Sequence, residues 1–166
     1  TDRQADEIDK LNGNTIWLDS RWKEIDNLYE QRCWVYRKKS EKASDPHEAS
    51  KKIYKGGFVY KIKPPASGLP EVHKSRYVIK DPKRLQRLDD TDCFSPMSRM
   101  EQCRYVLSEA VERNWDIQQY DIEQAFPTAH LPKPVYMEVP KLILAAHPEL
   151  AGCYCKVTRA LYGLCH

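Results

Sequence analysis

The sequence predicts an α+β protein with a mostly antiparallel sheet and packed helices. Apolar stripes of helical period occur at two places, and short runs of β-forming residues occur at six. The two kinds of segment do not alternate in the regular strand–helix–strand order of a parallel sheet. A length of 166 residues fits one domain, or one and part of another, and is long enough to bury a core without staples.

Residues 20–32 form the first predicted helix, with Trp22, Ile25, Leu28, Tyr29 and Arg32 at helical spacing and Asp19 or Ser20 as N-cap. Trp34-Val35-Tyr36 is β-like. Residues 37–56 are polar and basic with no steady apolar period, which predicts a long loop or an insertion. Phe58–Lys63 and Val72–Lys80 are rich in β-formers and flank the turn-dense stretch Pro64–Pro70, so they form a hairpin. Ser98-Arg-Met-Glu101 is a capping-box pattern. It is followed by a stripe of Met100, Cys103, Val106, Leu107, Ala110 and Val111, predicting a helix that faces a core and ends near Asn114. Trp115–Asp121, Val135–Val139 closed by Pro140, and Cys153–Thr158 complete the predicted strands.

Composition excludes several classes. Hydrophobic residues make up 41% of the chain and the mean hydropathy is −0.73, which suits a soluble globular domain rather than a disordered one. The longest apolar run, Leu142–Ala146, falls far short of the roughly 20 residues of a membrane helix, and no membrane partner is expected. Net charge is only +3, but it is unevenly spread. Residues 1–36 hold 5 Lys/Arg against 8 Asp/Glu, residues 37–87 hold 15 against 5, and residues 88–166 hold 7 against 11. A basic middle between acidic flanks is the layout of a polyanion-binding surface or of a solvated basic loop. Lys61, Lys63, Lys74, Arg76 and Lys80 lie on the hairpin and suit phosphate contact. The six cysteines give no sign of an oxidising compartment and are expected to be reduced. Cys153-x-Cys155 with Cys165-His166 resembles a zinc cluster only superficially, because zinc ligands usually carry longer spacers.

Asp121 stands at the end of an apolar segment just before a turn, the place of a turn cap or of a metal ligand. Phe126 alone would be read as core.

Residues 58–166 resemble the reverse transcriptase domain of Ty1/copia-type retrotransposon polyproteins. The resemblance rests on a collinear set: Phe58–Lys63, His73–Lys80, Phe94-Ser-Pro-Met97, Trp115–Phe126, Leu131 with Val135–Pro140, and Cys155–Leu164. Glu24, Leu28 and Trp34 resemble the family's N-terminal approach. The resemblance implies a right-hand polymerase, with residues 1–36 as a helical approach, 37–56 as a basic linker or insertion, and 57–166 as fingers and a partial palm. It implies that Asp121 is catalytic and binds metal with the backbone carbonyl of Ile122, two Mg²⁺ ions serving nucleotidyl transfer in the complete enzyme. Lys63 (or Lys61) and Arg76 match cations that hold the incoming triphosphate, and Phe126 matches an aromatic under the nucleotide sugar. Tyr162 and Gly163 match a loop beside the template. Implied partners are an RNA or DNA template-primer, deoxynucleoside triphosphates and the rest of a Pol polyprotein, integrase and RNase H included. The implied location is a cytoplasmic virus-like particle, with the nucleus left open.

The family's aromatic-x-Asp-Asp hairpin follows the segment matched by Leu161–Leu164. The one Asp-Asp here, Asp89-Asp90, precedes Asp121, so the chain is expected to be a piece of a longer polypeptide and inactive alone. The alternative is a catalytically dead retroelement remnant that binds nucleic acid without sequence preference.

Overall fold

The computed structural model describes residues 1–64, 70–80, 98–121 and 125–164. Helix α1, Asp2–Asn12, was not expected from the apolar pattern. It is set by polar signals, a Thr1/Gln4 capping box at one end and a left-handed Gly13 (φ 63°) at the other. Helix α2, Ile16–Glu30, begins four residues before the expected Ser20. Neither Asp19 nor Ser20 caps it. The carboxylate of Asp9 on α1 accepts from the backbone N–H of Trp17 (3.1 Å) and Leu18 (3.0 Å), so the cap comes from the preceding helix.

Strand β1, Trp34–Lys38, follows where the sequence placed it. The expected loop over 37–56 is instead folded, with α3 at Lys39–Ser44, α4 at Pro46–Ala49 and strand β2 starting at Ile53. What fastens it is polar, which is why apolar periodicity missed it. Lys42 is buried and donates to the carbonyls of Glu48 and Ala49 (3.1 Å to the latter). Glu48 accepts from the hydroxyl of Tyr154 (2.8 Å) and from Lys156, both on β5, Cys153–Arg159.

Strand β2, Ile53–Lys63, pairs antiparallel with β3, Val72–Lys80. The turn residues 65–69 lie outside the described residues. The sheet runs β1-β5-β4-β2-β3, with β4 at His130–Glu138. It is mixed: β1–β5, β5–β4 and β2–β3 are antiparallel, while β4–β2 is parallel through Ile53/Tyr136 and Tyr54/Met137. The β4 register shifts between His130 and Val135, a span containing Pro132 and Pro134, which have no N–H to give the ladder. The core joins Ile25 and Leu28 of α2 to Phe58, Tyr77, Ile79, Met137, Cys155, Val157 and Leu161.

Helix α5, Met100–Glu112, forms as expected, but its cap lies one residue after the expected Ser98/Glu101 box: Arg99 is the N-cap, and Gln102 Oε1 accepts from its N–H (2.8 Å). Its stripe faces no core among the described residues. Met100, Cys103, Val106, Leu107 and Val111 are exposed and only Ala110 is buried. Residues 115–121 are not a strand either, and Trp115, Ile117 and Tyr120 are exposed. Short helices α6 (Ala125–Thr128) and α7 (Lys141–Ala146) flank β4.

The outer edge of β3 is closed by groups distant in sequence. Ser20 Oγ donates to the carbonyl of His73 (3.0 Å) and accepts from the N–H of Ser75 (2.8 Å). Glu24 accepts from the N–H of Tyr77 (3.1 Å). Tyr162 accepts, through its carbonyl, from the N–H of Ile79 (3.1 Å).

Two carboxyls give opposite pH dependences. Burial holds Glu24 above the usual carboxylate range, against the lowering effects of the Tyr77 N–H, Lys74 and Arg76. The native state then binds the proton more tightly, so Glu24's contribution grows as pH falls from neutrality toward the unfolded-state value near 4.5. The hydrogen bond from Lys156 holds Glu48 below its usual range, so its contribution is present above 4.5 and is lost as pH falls further. Glu24→Gln should remove the gain between pH 7 and 5 while keeping the acceptor for Tyr77. Glu48→Gln should flatten the loss below pH 4.5. Urea midpoints across pH check both, and unchanged profiles would refute the assignments.

Candidate functional site

Strand pairing decides which hairpin cations share a face. The register sets Val59 against Arg76, Lys61 against Lys74, Lys63 against Val72 and Lys55 against Lys80. Side chains alternate along a strand and directly opposed residues share a face. Phe58 and Tyr60 therefore point with Ser75 and Tyr77 toward the helical side, where Trp17 packs edge-on against Tyr60 (centroids 5.2 Å) and His73 (4.6 Å). Lys55, Lys61, Lys63, Lys74, Arg76 and Lys80 all fall on the other, open face. Five of these six are exposed and Lys74 is half-buried. Among the described residues none of the six has a carboxylate within salt-bridge distance.

That arrangement contains two like-charged pairs directly opposed across the strands, Lys61/Lys74 and Lys55/Lys80. Opposed like charges weaken a sheet. A polyanion on the open face would remove the repulsion and gain charge-assisted hydrogen bonds.

Two expected site residues meet. The guanidinium carbon of Arg76 lies over the ring of Tyr162, 5.0 Å from its centroid. Tyr162 also forms a parallel bridge with Val78, so the segment after β5 extends along the edge of β3. The flanking Leu161 and Leu164 are buried in the core. Gly163 has φ 89°, and a Cβ there would stand 2.9 Å from the carbonyl oxygen of Ile79. Glycine is needed both for the left-handed backbone and for the close approach.

The other expected residues are not brought to this face by any contact. Asp121 is exposed and makes no hydrogen bond or ion pair among the described residues. Ile122 lies outside the described residues, as does the side chain of Phe126, whose backbone is in α6. Among the described residues no group of three or more His, Cys, Asp or Glu could hold a metal ion. A single carboxylate does not make a site for a hard divalent ion that takes six oxygen ligands. The described donor set therefore does not fit a bound metal. Of the suggested zinc ligands, Cys153 and Cys155 are free thiols, while Cys165 and His166 lie outside the described residues. The Asp89-Asp90 pair of the sequence also lies outside them. Burial pushes the Cys33 thiol up to about 11 and Cys155 higher still, which makes both inert.

Sequence reasoning missed Lys55 on the cationic face, although its pairing with Lys80 follows from extending β2 by a few residues. It also missed Ser20 and Glu24 as clamps. Their signal is a pair of polar residues four apart on the buried face of α2, beside Trp17, Arg21, Ile25 and Leu28.

Known proteins agree on one family. Residues 44–166 match the profile of the family "Reverse transcriptase (RNA-dependent DNA polymerase)". The chain is 36% identical over 92 residues to a retrovirus-related Pol polyprotein from transposon RE1 of Arabidopsis thaliana, covering 55% of this chain and 6% of that protein. It is 31% identical over 117 residues to the corresponding polyprotein from transposon TNT 1-94 of Nicotiana tabacum, covering 69% of this chain and 8% of that protein. A third, from transposon RE2 of Arabidopsis thaliana, is 34% identical over 93 residues, or 55% of this chain and 6% of the polyprotein. The matches thus span under a tenth of these relatives. No solved structure matches the chain.

Replacing Gly163 by alanine should cost about 1–3 kcal/mol, because the backbone is strained and Ile79 must shift. Hydrogen exchange at the Ile79 amide, which Tyr162 protects, should accelerate more than exchange at Tyr77. Wild-type protection at Ile79 would show that the close approach does not hold the segment.

Proposed function

As the chain belongs to the reverse transcriptase (RNA-dependent DNA polymerase) family, we propose that it is the fingers and first part of the palm of a copia-type retrotransposon polymerase, working within a larger Pol polyprotein. In this reading residues 57–166 carry the fingers and partial palm, 1–36 the helical approach, and 37–56 a basic segment joining them. The supporting observation is the hairpin face, where Lys55, Lys61, Lys63, Lys74, Arg76 and Lys80 stand together with two opposed lysine pairs and, among the described residues, no ion-paired carboxylate. Triphosphate and nucleic acid are the polyanions a polymerase handles, and cations fixed beforehand around transferring phosphates stabilise their charge without reorganisation.

Asp121 is assigned a catalytic role on the sequence likeness. With further carboxylates it would contribute to a Mg²⁺ site. The partners are a template-primer, deoxynucleoside triphosphates and the remaining polyprotein regions, integrase and RNase H among them, in a cytoplasmic virus-like particle with a possible nuclear stage left to the element's life cycle. In the complete polyprotein, Asp121→Asn should abolish primer extension and leave template binding within about twofold. Retained extension would remove Asp121 from the catalytic set.

The second reading, a catalytically dead remnant that binds nucleic acid, draws on the same face. For the chain itself, affinity for single-stranded RNA or DNA should fall steeply with salt and show little sequence preference. Each of Lys61→Gln and Lys74→Gln should lower the slope of log affinity against log salt by about 0.7. Salt-independent binding, or slopes unmoved by both substitutions, would refute the open face as the nucleic-acid surface.

A further inference from the structure

Arg76 carries a long side chain on an exposed strand face, and a guanidinium so placed ordinarily samples many rotamers. Here it lies over the Tyr162 ring. The ring is itself held in place. Its backbone carbonyl takes the Ile79 N–H, Leu161 and Leu164 on either side are buried, and Gly163 admits no side chain against Ile79. No carboxylate among the described residues forms an ion pair with Arg76, so its orientation is not set by a salt bridge. A contact through the ring face leaves the in-plane N–H donors of the guanidinium unspent.

From this geometry we propose that Tyr162 is a positioning residue for Arg76: its ring fixes the guanidinium on the open hairpin face with the donors presented to a polyphosphate. The aromatic ring, rather than the phenolic hydroxyl, carries the role. It differs from a direct template contact and ties the loop after β5 to the cationic hairpin. The inference rests on the reading of that face as a polyphosphate site, and the two can fail separately.

The test uses the full 166-residue chain, with inorganic tripolyphosphate as ligand at low ionic strength. Binding is measured by calorimetry, and the Arg76 Nε–H resonance is followed by NMR, assigned by its loss in Arg76→Gln. Tyr162→Leu should weaken binding about two- to fivefold and remove the ring-current shift of the Arg76 Nε–H. Tyr162→Phe should retain both. In an Arg76→Gln background, Tyr162→Leu should have no further effect. Should Arg76→Gln weaken binding while Tyr162→Leu binds like wild type, or should the two losses simply add, the positioning role is overturned and the polyphosphate face stands. Should wild type fail to bind, or Arg76→Gln bind as wild type does, the polyphosphate reading falls and the positioning role with it. An unfolded Tyr162→Leu is recognised by loss of Ile79 amide protection. Tyr162→Phe and Tyr162→His then carry the test, and a shift of the Arg76 resonance equal in both to that of a ring-free reference peptide overturns the proposal.

Discussion

The free edge of β3 is the constraint from which much of this structure follows. An edge strand presents a row of backbone donors and acceptors that must be paired, solvated or covered. Here the row is closed by Ser20 and Glu24 from α2 and by the carbonyl of Tyr162. The partners lie 53 to 55 residues before β3 in the first two cases, and well after it in the third. Closing one edge therefore ties the N-terminal helices and the segment after β5 to the same strand. It also prevents the β2–β3 hairpin from acting as a template for edge pairing, and it holds the cationic face at a fixed position.

The treatment of charge differs sharply between the two sides of the molecule. Where a cation belongs to the packing, it has a partner: Arg21 pairs with Asp6 through one terminal nitrogen although its buried Nε has none, Lys156 pairs with Glu48, and Lys42 meets two backbone carbonyls. On the hairpin, lysines oppose lysines without such partners among the described residues. Edge lysines often serve only to discourage aggregation, but the β3 edge is already covered, so that role does not account for the opposed pairs. Glu24, below the sheet, acts on Lys74 and Arg76 through space but forms an ion pair with neither. The face is left with an electrostatic cost that a bound polyanion relieves.

Legibility followed the range of the deciding interaction. The sequence delimits β3 to its observed ends, and β5 nearly so, because alternation and β-forming residues are local properties. Placing the hairpin cations on one face needed only the strand period and one cross-strand pair. Helix α1 was missed because its determinants are a Thr1/Gln4 box and a terminal glycine, with little apolar stripe. The start of α2 was misplaced because its cap, Asp9, belongs to another helix. The 37–56 segment was misread because its anchors are Lys42 and Glu48, residues that usually face water. Arg76 and Tyr162 were each singled out, but nothing local shows that they touch across more than eighty residues.

The exposed stripe of α5 marks the other boundary of what the sequence specifies. Met100, Val106, Leu107 and Val111 recur as a core-facing helix would require, so the helix itself is legible, whereas among the described residues nothing covers the stripe. Residues 115–121 continue the same problem with Trp115, Ile117 and Tyr120 exposed. Asp121 terminates that stretch. The metal-binding role proposed for it needs a rigid setting and further oxygen donors, since one carboxylate neither orients nor charge-balances a divalent ion. The two halves of the candidate site therefore rest on different grounds. The hairpin half follows from register, opposed charge and a contact between Arg76 and Tyr162, while the carboxylate half follows from the collinear likeness to a polymerase family. A surface that binds phosphate can be built from one hairpin and the segment fastened to its edge, but a centre that transfers phosphoryl groups must draw carboxylates from several segments brought together.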